Sequence, residues 1–369
     1  MPYGDGVQPH TSQRGRTMQA PTDLSELDPA WLSLALGSPV DSFSTETIGT
    51  GEGFMGQLAR VHLVGSDVPS RVIVKMPTSD PGGRMIGEMM RVWEREHRFY
   101  TEVAPSTATL IPGVRVPRCL YSQADPYVLI LEDLHPLTPG DQVAGPTLPR
   151  AHIAIDAAAC LHSSWFDRPE LHALTWMPDI SDPMSASVGA MFDLGWPTFL
   201  DRYQDSLPER VLRWCESFAP RVVDWITTYA EWPPTLIHGD FRLDNMFFGA
   251  DGSMTLIDWQ LSMRAPSTTD LVYFLGTNLP TDMRRAVQDD LIERYSRAMR
   301  AGGVPHEWSD PRRITQGYAE GCLFYCTSFA ASILTLDTAN ERGASLMDSL
   351  VRRAFAAADD LDAGIRIGL

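Results

Sequence analysis

The chain of 369 residues has no apolar run near the ~20 residues that a membrane-crossing helix needs, so no membrane partner is expected. Its start, M-P-Y-G-D-G-V-Q-P-H, lacks a basic segment followed by an apolar stretch. No secretory leader is expected there, and the default location is cytoplasmic. Cysteine is scarce, odd in number and dispersed: Cys119, Cys160, Cys215, Cys322 and Cys326. That pattern argues for reduced thiols and against a disulfide framework. Cys322 and Cys326 share a helical face, but no companion ligand pair lies nearby, so buried small residues are expected rather than a metal site. Basic residues are outnumbered, with 30 Lys and Arg against 47 Asp and Glu, a formal net charge of -17. Phosphate backbones repel such a chain, which argues against a nucleic-acid partner. The same field favours a cationic substrate, although most such charge serves to keep a surface solvated. No internal repeat marks a solenoid. What is present is a 44% hydrophobic chain, long enough for one large two-lobed unit or two domains.

The most informative segment is 236–259, L-I-H-G-D-F-R-L-D-N-M-F-F-G-A-D-G-S-M-T-L-I-D-W. Two short apolar runs, 246–248 and 254–257, flank Gly249-Ala250-Asp251-Gly252, and an Asp-Gly pair so placed signals a hairpin. A hairpin sets its ends side by side. Those ends are Asn245 and Asp258, two oxygen ligands suited to Mg²⁺. Asp240 stands five residues before Asn245 and adds a potential base. Each of these residue types is common in turns, but the ordered combination is what phosphoryl transfer from a nucleotide requires.

Residues 1–21 are polar and read as a disordered or loosely docked arm. Asp28-Pro29 then predicts an N-cap followed by proline at the first helical position, with the helix ending near Gly37. Strand character runs from 45 to 77, with β-rich runs at 58–64 and 72–76, and returns at 128–131. Helical periodicity marks 85–103 as well as 150–166, 196–231, 281–300 and 313–335. The expectation is an α+β fold: a β-rich first lobe over 22–134 and a mostly helical second lobe over 135–369, interrupted by the hairpin.

The first lobe carries a second constellation. Gly51-Glu52-Gly53-Phe54-Met55-Gly56 matches G-x-G-x-x-G. It lacks the Gly-Lys-Ser/Thr ending of a Walker A loop, and it opens a strand-like run where a dinucleotide fingerprint would open a helix. A turn between antiparallel strands that covers phosphates remains, against the alternative of an ordinary hairpin turn. Lys75 ends the run Val72-Ile73-Val74, and Glu96 falls within the apolar stripe of the 85–103 helix. A carboxylate on a buried face needs a partner, and Lys75 is the candidate. Glu94 and Arg95 read as ordinary surface charge on other faces.

Together these residues resemble the aminoglycoside phosphotransferase and choline kinase group, distant relatives of protein kinases. H-G-D-F-R-L-D-N, I-D-W-Q, D-L-V-Y-F-L and E-R-E-H-R-F-Y are most similar to the ecdysteroid kinase-like branch, over roughly residues 45–350. The resemblance implies a bilobal protein-kinase-like fold and an ATP- and Mg²⁺-dependent kinase acting on a hydroxyl of a small molecule. It implies Asp240 as catalytic base, Asn245 and Asp258 as Mg²⁺ ligands, and Lys75, positioned by Glu96, at the α/β-phosphates. Gly51, Gly53 and Gly56 would cover the phosphates, and the strand exit at Glu132 to Leu134 would offer backbone groups to adenine. Arg242 stands where protein kinases carry a lysine; it either stabilises charge on the transferring group or is structural. His238 is expected to brace the loop, and Asp270, in a capping-box-like helix start, to support it.

Some protein-kinase features are missing. Gly239 replaces the Arg of H-R-D, Trp259 follows Asp258 in place of Phe-Gly, and no A-P-E follows. The missing arginine normally reads a phosphorylated loop, so a constitutively arranged site with a small-molecule acceptor is expected. Trp176, Met177, Met184, Met191, Phe192, Trp196, Phe324, Tyr325 and Phe329 lie in the segments expected to grip the acceptor. They are either core or the lining of a pocket for a lipophilic alcohol or secondary metabolite. The alternatives are an aminoglycoside or macrolide phosphotransferase, or a catalytically silent nucleotide-binding module.

Overall fold

The computed structural model describes residues 19–49, 55–105, 114–334 and 341–369. Helix α1 (Pro29–Leu36) starts where Asp28 accepts from the Ala30 and Trp31 amides at 2.8 and 3.0 Å, and it ends at Gly37, whose φ is 68°. Residues 1–18 of the expected arm lie outside the described residues, while Ala20 is buried against the first lobe.

Five antiparallel strands follow in the order β1-β2-β3-β5-β4: β1 (Val40–Ile48), β2 (Gly56–Gly65), β3 (Arg71–Pro77), β4 (Cys119–Ala124) and β5 (Tyr127–Glu132). The three β-rich runs of the sequence fall inside β2, β3 and β5. β1 and β4 form the sheet's edges, and β1 exposes most of its residues, so no apolar alternation announces it. The sheet is buried on both faces. Val72, Val74, Met76, Val128 and Ile130 pack with Trp31 and Leu32, while Leu129 and Leu131 join the main core. Period-2 alternation therefore puts Lys75 on the face of Ile73, opposite the α1 side.

The helix expected over 85–103 is three pieces: α2 (Pro81–Met89), α3 (Val92–Arg98) and a π-helical turn, Phe99–Val103. Arg91, with φ of 53°, breaks the run. The break rotates α3 relative to α2 and overturns the reading of Arg95 as surface charge. Its guanidinium is buried and donates to the carbonyls of Met90 (3.3 Å) and Ser262 (2.9 Å). Burial lowers its pKa to about 10. Glu94 does stay exposed, paired with Arg91 at 2.8 Å.

The second lobe packs α4 (Leu148–Trp165), α5 (Val188–Tyr203), α6 (Glu209–Phe218), α7 (Val222–Tyr229), α8 (Thr268–Tyr273), α9 (Thr281–Ala301), α10 (Pro311–Ser332) and α11 (Glu341–Asp360) around one core. The segment expected as helix over 196–231 is divided at Pro208 and again by the 3₁₀ turn Ala219–Arg221, which contains Pro220. A three-stranded sheet and a two-stranded pair interrupt the helices. β6 (Thr138–Pro139) joins the hairpin of β8 (Met246–Phe248) and β9 (Met254–Leu256), and β7 (Thr235–Ile237) pairs with β10 (Met263–Ala265). Trp176, Met177, Phe192 and Phe329 go into the core, whereas Met184, Met191, Trp196, Phe324 and Tyr325 stay partly exposed. Among the described residues, no helix is long and apolar enough to cross a membrane.

Candidate active site

β7 is wholly buried and delivers the chain into the loop at His238. Gly239 turns that loop with φ of 81°, and a Cβ there would lie 2.1 Å from the Leu261 carbonyl oxygen. The absence of an arginine at this position thus has a steric cause as well. Asp270 clamps the turn, accepting from the His238 and Gly239 amides at 2.7 and 2.9 Å. Ser267 makes no capping bond, so Asp270 supports the loop directly and not through a capping box. His238 braces the far side, its Nε2 lying 2.8 Å from the Ile257 carbonyl oxygen.

The hairpin sets its two ends together, with the Ile257 amide donating to the Asn245 carbonyl at 3.0 Å. The Asn245 amide donates to the Asp240 carboxylate at 2.9 Å, and Arg242 Nε reaches the same Oδ2 at 3.0 Å. Asp258 has φ of 65°, the left-handed region that Asp tolerates better than most residues. Its Oδ1 accepts from Lys75 Nζ at 2.7 Å, and that ammonium also meets Glu96 Oε2 at 2.8 Å. The Tyr127 hydroxyl donates to Glu96 at 2.7 Å. Phe99 stacks on Trp259 with ring centroids 4.0 Å apart, and Arg95 bonds the Ser262 carbonyl, so the α3 segment grips the chain on both sides of residue 260.

The charges tune one another. Burial opposes the Lys75 ammonium, but Asp258 and then Glu96 outweigh it and raise the pKa. Glu96 is shifted upward by burial, which Lys75 only partly offsets. Asp258 is also penalised by burial, yet Lys75 and Arg242 hold it below the usual carboxylate range. Arg242 loses to burial but is raised by Asp240, Tyr273 and Asp244. The two carboxylates differ in their neighbours: Asp258 faces Arg242 as well as Lys75, whereas Glu96, already raised by burial, is pushed further upward by the charge of Asp258.

Asp258 and Arg242 border a cleft of ≈ 590 Å³ between the lobes, within the usual range for small-molecule sites, and Lys75 and Glu96 lie behind Asp258. Ile48, Leu58, Ile73, Leu134 and Ile257 line it on the apolar side; Arg242, Asp244, Asn245, Asp258 and Arg342 line the polar side. Asp240 lies behind Arg242 and Asn245, with 15% of its side chain exposed. Glu132 and Leu134 both line the cleft, but the Glu132 amide already donates to the Arg118 carbonyl, and the Leu134 carbonyl accepts from the Leu137 amide. Gly51 and Gly53 lie outside the described residues. Gly56 opens β2, and the Lys75 stem passes 3.4 Å from where its Cβ would sit. Among the described residues, no group of three or more His, Cys, Asp or Glu could hold a metal. One carboxylate with one amide oxygen, both facing a cleft, still suits Mg²⁺, which keeps waters and shares phosphate oxygens.

Sequence reasoning passed over Arg342, which lines the cleft, and one signal for Lys75. Lys75 is the only lysine in the chain; every other cationic side chain of that kind is arginine. Nothing local marks Arg342.

A β-rich lobe over a helical lobe, with this cleft between them, is the protein-kinase-like fold that small-molecule phosphotransferases share. The chain belongs to the ecdysteroid kinase-like family, whose sequence profile matches residues 50–302. Among curated protein sequences, none matches it. Among solved structures, it is similar to the ethanolamine kinase of Plasmodium vivax (12% identity, 85% of this chain and 82% of that chain covered, TM-score 0.53). It is similar to the Streptococcus pneumoniae choline kinase LicA in complex with AMP (14% identity, 90% and 97% covered, TM-score 0.50). It is also similar to APH(2")-IIia in its GDP and kanamycin complex (13% identity, 93% and 100% covered, TM-score 0.50). At these identities the likeness is one of fold.

Proposed function

We propose that this protein transfers the γ-phosphoryl group of ATP to a hydroxyl of a small molecule. One observation carries the reading: Asn245 and Asp258 line one inter-lobe cleft, and direct bonds of 2.7–3.0 Å tie Asn245 to Asp240 and Asp258 to Lys75 just behind them. Asp240 accepts the proton of the attacking hydroxyl. Asn245 and Asp258 would hold Mg²⁺, which supplies charge neutralisation on the nucleotide phosphates. Lys75 is aimed at those phosphates by Glu96, and Arg242, fixed on Asp240, sets a second cation where charge develops. The apolar side of the cleft suits a nucleobase. The AMP and GDP of the related complexes support nucleotide binding here.

Ethanolamine, choline and kanamycin, which the related structures name, are all amino alcohols that carry positive charge at neutral pH. That supports a hydroxyl acceptor without choosing its carrier. Met191, Trp196, Phe324 and Tyr325 pack against the core outside the cleft lining and do not select the carrier. The five cysteines form no disulfide, which suits a cytoplasmic setting.

The test is a panel of hydroxylated metabolites and antibiotics incubated with the protein and MgATP, read for the mass gain of one phosphoryl group. Transfer to at least one alcohol is expected. No transfer to any acceptor, together with no binding of MgATP, would overturn the proposal.

A further inference from the structure

Helix α4 carries one buried histidine, His162, and it holds the approach to Asp240 at two points. Its carbonyl accepts from Thr235 Oγ1 at 2.6 Å, at the start of β7. Its ring Nε2 lies 3.2 Å from Asp270 Oδ2, the oxygen that also takes the His238 amide at 2.7 Å. The other Asp270 oxygen takes the Gly239 amide at 2.9 Å. On the far side of the ring, Nδ1 lies 2.7 Å from the Tyr295 hydroxyl on α9.

The proton positions follow from the partners. A carboxylate only accepts, so Nε2 donates to Asp270. Burial raises the Tyr295 pKa, so the phenol keeps its proton and donates to Nδ1. His162 and Asp270 have 0% and 1% of their side chains exposed, so solvent does not compete for the bond between them.

We propose that His162 is a positioning residue for the turn that aims Asp240. It fixes the rotation of the Asp270 carboxylate from outside the loop, so that both oxygens face the His238 and Gly239 amides. Gly239 then keeps the left-handed φ of 81° from which Asp240 follows. The inference rests on reading Asp240 as the base.

The test reads the loop directly, by deuterium exchange of the His238 and Gly239 amides in the full chain. Phosphate release from MgATP and Tm are measured beside it. His162→Asn sets its amide near Nδ1, within reach of Tyr295 but short of Asp270. It is expected to speed exchange at the two amides about 10-fold or more and to lower kcat about 10-fold or more, with KM for ATP near wild type. His162→Gln sets its amide near Nε2 and reaches Asp270 instead. It should keep both amides protected and most of kcat, although Tm falls with the loss of the Tyr295 bond. Nitrogen NMR of the histidine-labelled wild type needs no variant, and it should find the His162 proton on Nε2. Wild-type exchange and kcat in His162→Asn would overturn the inference. So would equal losses in both variants, or a ring proton on Nδ1 alone. Asp240→Asn separates the two readings, because amide exchange does not depend on the chemistry. If it hydrolyses ATP at the wild-type rate, the base reading fails and exchange still decides the role of His162. If it is inactive while His162→Asn is protected and fully active, only the positioning role fails.

Discussion

Lys75 donates to Asp258 across the two lobes at 2.7 Å, linking β3 to the end of the hairpin. The carboxylate proposed to hold Mg²⁺ therefore also restrains the ammonium proposed to meet the phosphates. Because Glu96 holds the same ammonium from α3, three elements meet at one cation. Replacing Lys75 by Met leaves two carboxylates without their shared counter-charge. A stability loss of about 3 kcal/mol is expected, the cost of removing one partner from a buried pair. Denaturant melts would measure it, and an unchanged midpoint would contradict the arrangement.

The lone lysine gives a sharper probe. An amine-reactive ATP analogue should modify one internal position, Lys75, and excess MgATP should protect it. Peptide mass mapping reads both results. Lys75→Arg should abolish labelling and impair nucleotide use, because a planar fork does not replace a compact ammonium between two carboxylates.

Asp258→Ala should abolish the Mg²⁺-dependent part of nucleotide binding. Calorimetry with ATP, with and without Mg²⁺, checks this. Equal MgATP affinity in the variant and the wild type would remove Asp258 from the metal site.

Arg353, nearly buried, donates to the carbonyls of Gln142, Val143, Thr277 and Asn278 and so ties α11 to the segment that carries the loop at Leu243. Arg353→Met leaves those acceptors unpaired. At roughly 1–3 kcal/mol for each unsatisfied buried group, a loss of several kcal/mol is expected in a urea melt. A shift below about 1 kcal/mol would show that water replaces the guanidinium freely.

Asp133 predicts a pH dependence. Burial opposes its charge, but the His135 amide and Arg60 hold its carboxyl below the usual range. A depressed carboxylate stabilises the fold above its unfolded pKa, near 3.9, and the contribution disappears as pH falls through the folded value. Asp133→Asn should thus melt below wild type at pH 7, with the gap narrowing as pH falls from about 4. A gap that is constant with pH would exclude the mechanism.

These contacts also explain what could be read from the sequence. The runs at 58–64 and 72–76 were legible because the strands are buried, and the hairpin because Asp251-Gly252 separates two apolar runs. The Lys75–Glu96 contact followed from a carboxylate inside an apolar stripe. β1 escaped because an exposed edge has no apolar period. Arg95 was misread because a single left-handed residue, Arg91, re-phased its helix. Arg353 bonds only backbone carbonyls far away in sequence, which no local pattern records.

The central claim is that Asp240 handles the proton of the attacking hydroxyl. The most direct measurement compares Asp240→Asn with wild type for phosphoryl transfer from ATP, alongside MgATP affinity. The account expects kcat to fall by at least ~10²-fold, the lower end of general-base contributions, with MgATP still bound at wild-type affinity. Near-wild-type turnover in that variant would contradict it.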